Sequence, residues 1–302
     1  MGDKMIKNAI KYLIDPDYRF LFNRSKGMYV NMPDDEYLKR LYHAKTGRTL
    51  NLEAPKTFNE KLQWLKLHDR KDIYTVMADK YLVKAYVSER IGPDYVIPLL
   101  GVWESVDEID FDALPEQFVL KCTHDSHGLV ICKSKASLDI KDAKAKLEKC
   151  ISRNYYSAFR EWPYKNIKPR IIAEEYMEEQ SGELKDYKVL CFNGEPKLIE
   201  LHQGRFSGKH YQDFYDLDWN KTTIRNVNEQ LCPESEPKPV CLEEMLKLSR
   251  KLSDSIPHVR VDWYIVDGKL YFGEFTFFDG SGYDLYCDEN DDLMIGSWIT
   301  VI

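Results

Sequence analysis

The run from Val259 to Tyr283, VRVDWYIVDGKLYFGEFTFFDGSGY, constrains the chain most. Val259 to Ile265 and Lys269 to Phe275 are β-branched and aromatic runs of strand length, joined by Val266-Asp267-Gly268, and they predict a hairpin. The turn decides which side chains share a face. A two-residue Asp-Gly turn puts Asp262 and Glu274 on opposite faces. A three-residue turn ending in Gly268 opposes Asp262 to Phe272 and Arg260 to Glu274. In that pairing Arg260, Asp262, Glu274 and Thr276 line one face. Two carboxylates and an arginine there suit a divalent metal carrying phosphate oxygens. An edge hairpin with solvated charges is the competing reading, and the rest of the chain must separate the two.

With 302 residues the chain has room for two or three subdomains and a sizeable core. A net charge of −7 argues against a nucleic-acid groove as the main business. Seven scattered cysteines without a Cys-x-x-Cys predict reduced thiols, most of them core, in a cytoplasmic protein. No window approaches the ~18 apolar residues of a membrane span, and no signal peptide is legible.

Residues 4 to 22 set Ile6, Ile10, Leu13 and Ile14 at helical spacing between Lys4, Lys7 and Lys11. Such a helix docks on its own protein or makes peripheral contact with a membrane. Thr57-Phe58-Asn59-Glu60 is a capping box opening a helix with Phe58, Leu62 and Leu65 as its apolar stripe. A further helix, about 75 to 90, carries Lys80 and Lys84 and stops at Gly92-Pro93. Phe118 to Cys122 and Leu129 to Cys132 predict a hairpin. Its polar connection, Thr123 to Gly128, can offer backbone N–H groups and a hydroxyl to phosphate, with Lys121 alongside. His124 and His127 lack a third ligand at metal spacing and read as solvent-exposed loop residues. Ile140 to Ile151 predicts a helix packed on that hairpin. Arg170 to Tyr176 is a strand turning acidic, and Asp186 to Phe192 and Pro196 to Leu201 flank an Asn193-Gly194 turn. Gln203 to His210 is a glycine-spaced basic loop suited to closing over anions, and Leu242 to Leu252 an amphipathic helix.

Taken in order, these pieces resemble the ATP-grasp superfamily, specifically its TupA-like branch, associated with teichuronopeptide and capsular polysaccharide synthesis in bacteria. The resemblance runs from about Leu50 to the C-terminus. It is carried by PKTFNEKLQWLK at 55–66, ADKYLVKAYV at 78–87, LPEQFVLKCTHDSHG at 114–128, EEYM at 174–177, DYKVLCFNGEPK at 186–197, RVDWY at 260–264 and EFTFFDGSG at 274–282. It implies an α+β, ATP-grasp fold in which two α+β subdomains clasp ATP. The implied division is a reduced N-terminal substrate-side region (1–74), a lid subdomain with the phosphate loop (75–175) and a C-terminal catalytic subdomain with the metal site (176–302). Lys80 and Lys121 then contact nucleotide phosphates, and Thr123, Ser126 and Gly128 belong to the phosphate cover. Glu174, Glu175, Tyr176 and Met177 form the adenine hinge, with Glu174 near the amino group, and Asp186 takes the ribose hydroxyls. Arg260, Asp262 and Glu274 match the family's arginine and Mg2+-binding carboxylates.

The family's metal pattern ends in Glu-x-Asn, whereas this chain has Glu274-Phe275-Thr276. Thr276 is a weaker magnesium ligand than an amide oxygen, and Asp279 is the candidate to compensate. The implied chemistry is an ATP-dependent carboxylate–amine ligation through an acylphosphate. Its partners would be a sugar acid or glycan precursor and an amine or amino acid, with Arg205 or Lys209 clamping the γ-phosphate or the substrate carboxylate. Asp216-Leu217-Asp218 keeps a glycosyltransferase open, since an Asp-x-Asp can hold a metal under a nucleotide sugar. Nucleotide binding without catalysis and transfer to a hydroxyl are the remaining readings.

Overall fold

The computed structural model describes residues 2–125, 128–179, 184–204 and 208–301. Two antiparallel sheets organise the chain. The smaller takes β1 (Leu99–Trp103), β2 (Phe118–Cys122), β3 (Leu129–Cys132) and β4 (Ile171–Glu175) in the order β1-β4-β2-β3. The larger takes β5 (Asp186–Phe192), β6 (Glu195–Gln203), β7 (Tyr211–Tyr215), β8 (His258–Val266) and β9 (Lys269–Thr276) in the order β7-β6-β5-β8-β9. Each sheet has its own core, as an α+β layering requires. Phe118, Leu120 and Ala173 of the smaller sheet pack with Ala143 and Leu147 of α7 (Ile140–Ile151). Val189, Ile199 and Trp263 of the larger pack with Met245 and Leu252 of α9 (Leu242–Leu252).

The helices begin where side chains can satisfy their first N–H groups. Thr57 and Glu60 form the expected capping box on α4 (Phe58–His68). The continuous helix expected over 4–22 is instead α1 (Gly2–Ile14) and α2 (Pro16–Ser25). Pro16 has no N–H to continue α1, and Asp15 accepts from the N–H groups of Asp17 and Tyr18 to start anew. The helix expected over 75–90 divides likewise into α5 (Ile73–Ala78) and α6 (Leu82–Ile91). Asp79 ends one and caps the next through the N–H groups of Tyr81 and Leu82, which leaves Lys80 on the corner between them. Beside α3 (Asp34–Thr46), α8 (Tyr155–Phe159), α10 (Glu289–Ser297), β1 and β7 went unread in the sequence. The described helices include none long and apolar enough to cross a membrane. All seven cysteines are free, and five are buried.

The hairpin turn is the two-residue one. Val266 pairs with Lys269, and Asp267 and Gly268 both take positive φ, +51° and +78°, the mirror-image turn that suits the strand twist. The three-residue turn and its pairing of Asp262 with Phe272 and Arg260 with Glu274 are therefore wrong. The shared face survives because the register slips by one residue between Trp263 and Val261, so that Arg260 pairs with Thr276. A bulge does what the turn was expected to do.

Candidate active site

Alternation along each strand sorts the larger sheet into two faces. One is apolar and closed by α9, where Trp263 donates its indole N–H to Ser249 Oγ at 2.9 Å. At one end of the other face, Phe192 and His258 meet Phe58 of α4. Its far end is polar across the strands: Lys188 stands opposite both Glu200 and Asp262, Asp186 opposite both His202 and Tyr264, and Gln212 opposite His202.

Those residues form a continuous charge network. Lys188 Nζ donates to Asp262 Oδ2 at 2.6 Å. Arg260 grips the same carboxylate with two N–H groups, at 2.7 and 2.8 Å, and reaches Thr276 Oγ1 at 3.1 Å. Its third nitrogen bonds Asp279. Glu200 lies 3.9 Å from Arg260 and is bonded by Gln212 and His202, while His202 continues to His210 at 2.8 Å and His210 to Glu229 at 3.2 Å. Burial alone would raise the Glu200 carboxyl, but His202, Arg260 and Lys188 hold it well below the carboxylate range.

The smaller sheet supplies a second knot of charge across a cavity of 170 Å³. Glu174 of β4 bonds Lys84 of α6 at 2.5 Å through one oxygen and Lys121 of β2 at 2.6 Å through the other. Burial would raise this carboxyl, yet Lys121 and Lys84 bring it down to about 2. Lys80 bridges the two sheets: its backbone N–H donates to Thr123 O at 3.1 Å and its ammonium to Glu274 Oε2 at 2.9 Å. Burial acts to lower the Lys80 ammonium, and Glu274 overrides it so that the group is raised; Glu274 itself is drawn down to about 2. Val83, Val96, Leu129 and Phe272 give the cavity an apolar wall. Three ammonium groups beside such a wall can take a polyphosphate and a flat apolar ring together.

Asp262 and Glu274 present carboxylate oxygens already surrounded by Lys188, Arg260 and Lys80. Two carboxylates fit magnesium, which commonly takes one or two such ligands and completes its shell with phosphate and water. The described residues contain no group of three or more His, Cys, Asp or Glu that could hold a metal. Asp279 faces Arg260; burial, with Glu200 and Asp284, pushes its carboxyl up to about 7 although Arg260 pulls it down.

Several sequence-predicted residues sit differently from expectation. Both Glu174 oxygens are engaged by lysines rather than left for an adenine amino group. The Thr123 hydroxyl bonds Lys168 O and the Arg170 N–H, behind the loop. His124 is buried, 3% exposed, with its ring bonded to Arg153 O, and is no solvent-exposed loop residue. Gly128 lines the cavity. Asp186 is buried in β5, Glu175 is exposed at the end of β4, and Tyr176 and Met177 follow it, half-buried. Lys209 is exposed beside the loop, while Ser126, His127 and Arg205 lie outside the described residues. Asp216 accepts from Asp218 N, Asn220 N and Asn220 Nδ2, forming a turn with both its oxygens. Lys84 and Lys188 were missed as site residues. The one-turn spacing of Lys80 and Lys84 and the alternation of Asp186 and Lys188 were the available signals.

Antiparallel sheets facing each other across a cleft, lysines on one side and paired carboxylates on the other, define an ATP-grasp fold. The TupA-like ATPgrasp family matches residues 60–300, and the chain belongs to that family. No curated protein matches it. Among solved structures it is similar to the D-alanine–D-alanine ligase of Bacillus anthracis complexed with ATP (16% identity, TM-score 0.41, 67% of this chain and 55% of that one). It is also similar to the D-alanine–D-alanine ligase of Helicobacter pylori (16%, 0.42, 80% and 69%) and the phosphoribosylamine–glycine ligase of Thermotoga maritima (11%, 0.39, 68% and 49%). The chain spans little more than half the length of the first of these.

Proposed function

We propose that the protein is an ATP-dependent carboxylate–amine ligase that modifies a uronic acid or similar carboxylate of a bacterial surface polysaccharide. The observation that carries the reading is the convergence of Lys80, Lys84 and Lys121 on one side of a cavity with Glu274 on the other; Asp262 lies behind Glu274 in the same charge network. Family membership supports the ATP chemistry and, by association, the glycan setting.

In this reading Lys80, Lys84 and Lys121 neutralise the phosphates, and Asp262 and Glu274 would hold magnesium. The metal, when bound, offsets charge on the transferring phosphoryl group. Arg260 orients Asp262, and the substrate carboxylate attacks the γ-phosphate, displacing ADP and forming the acylphosphate. The acylphosphate is captured by an amine, which loses a proton and expels phosphate. The departing phosphate takes that proton. Arg205 and Lys209, which follow β6 in the sequence, would clamp the γ-phosphate or the substrate carboxylate. The cytoplasm, where ATP and magnesium are supplied, is the setting the reading requires.

The glycosyltransferase alternative gains nothing from Asp216-x-Asp218, because Asp216 is committed to its turn. Purified protein with Mg-ATP should release ADP and phosphate only when a carboxylate such as glucuronate and an amine are both present. Turnover of a nucleotide sugar with ATP untouched would refute the ligase.

A further inference from the structure

Helix α1 lies outside the residues that match the family, and its apolar side is exposed among the described residues. Met5, Ile6, Ile10, Leu13 and Ile14 range from 51% exposed at Ile10 to 75% at Ile14. At 3.6 residues per turn these five positions share one half of the helix, and Lys7 and Lys11 fall together on the other. Of the residues from Met5 to Ile14 only Tyr12 is not exposed. Its hydroxyl bonds Asn23 at 3.0 Å and its ring meets Phe22 edge-on at 5.3 Å. Arg19 closes the C-terminal end by donating to Leu13 O at 3.1 Å. The helix is thus held to α2 by one residue and its last turn, with its apolar half turned outward.

We propose that this half seats in the interfacial region of an anionic phospholipid bilayer, with Lys7 and Lys11 among the headgroups. Charge supports a lipid occupant over a second copy of the chain. Residues 1–26 carry six basic and three acidic side chains in a protein whose net charge is −7. Within α1 the single acidic residue is Asp3 against three lysines, so two copies packed through this helix would leave most of the lysines facing like charge. An anionic surface supplies the missing countercharge. The five apolar residues supply the burial, which two lysines alone would not hold at physiological salt. The inference is independent of the ligase reading.

The test is sedimentation of the full-length protein with vesicles of pure phosphatidylcholine or with 30 mol % phosphatidylglycerol added. Wild type should bind the anionic vesicles at low salt, bind phosphatidylcholine weakly, and release as salt rises. Ile10→Glu with Leu13→Glu should abolish binding and leave the melting temperature nearly unchanged, because both side chains are exposed. Lys7→Gln with Lys11→Gln should weaken partitioning roughly thirty-fold at low salt. Wild type left in the supernatant, or the Ile10/Leu13 variant sedimenting like wild type, would overturn the proposal. So would a concentration-dependent dimer in light scattering that ignores vesicles and that the same variant converts to monomer, since the occupant is then a second copy.

Discussion

Replacing Glu174 by Gln isolates what the lysine knot does. The wild-type carboxylate sits between Lys84 and Lys121 with only 7% of its side chain exposed, and the two cations draw it from an ordinary value of 4.5 to about 2. That difference corresponds to about 3 kcal/mol favouring the ionised form. Burial nevertheless keeps the Lys84 ammonium below its ordinary range despite Glu174, so the cluster as a whole contributes less than the carboxylate shift suggests. Glu174→Gln should therefore cost up to about 3 kcal/mol, roughly 6 °C in melting temperature for a chain of this size. The informative readout is the melting shift on adding saturating Mg-ATP. If Lys84 and Lys121 face the triphosphate, its phosphates replace the lost anion, and the shift is larger in the variant than in wild type. Equal shifts would show that these lysines do not meet the nucleotide, and the reasoning would fail.

Acid should weaken the fold through the same group. Because the folded-state value of Glu174 is depressed, its contribution is present above pH 4.5 and is lost as pH falls toward 2; urea midpoints across that range should drop more in wild type than in Glu174→Gln. Glu274 shifts in the same sense, but 40% of its side chain is exposed, so its share is screened and smaller. Gly282→Ala should destabilise by at least 2 kcal/mol on the scale of a strained, overpacked site, since φ is +69° and the new Cβ would lie 2.4 Å from Gln63 Nε2; an unchanged denaturation midpoint would refute that packing. Asp216→Asn should leave ATP turnover within about two-fold of wild type, and a large loss would reopen the Asp-x-Asp reading.

The strands and the face they share were legible because period-2 alternation and turn dipeptides are local signals. The Asn193-Gly194 turn and the β8–β9 hairpin both appear where the sequence places them. What escaped depends on contacts made at a distance. The bulge near Asp262 is marked only by the isolated in-strand Gly273, where a Cβ would lie 3.1 Å from Asp262 O, so the correct face was reached through an incorrect turn. The α5–α6 break rests on Asp79, whose capping role shows only once Lys80 must reach both Thr123 and Glu274. His124 reads as a loop residue until Arg153 covers it. Lys188 became visible only when β5 was seated between β6 and β8, opposite Asp262 and Glu200. Family resemblance named Lys80, Lys121 and Glu174, but that Glu174 lies between Lys84 and Lys121 shows only once the strands are paired.

Calorimetric titration of ATP into the protein, with magnesium and then with chelator, addresses the proposed nucleotide cleft most directly. One ATP per chain should bind in the presence of magnesium. Affinity should fall at least ten-fold with chelator or in Asp262→Asn, and Lys80→Ala should weaken binding in either condition. Binding that is indifferent to magnesium, to Asp262 and to Lys80 would mean that the two sheets do not close on a nucleotide between them.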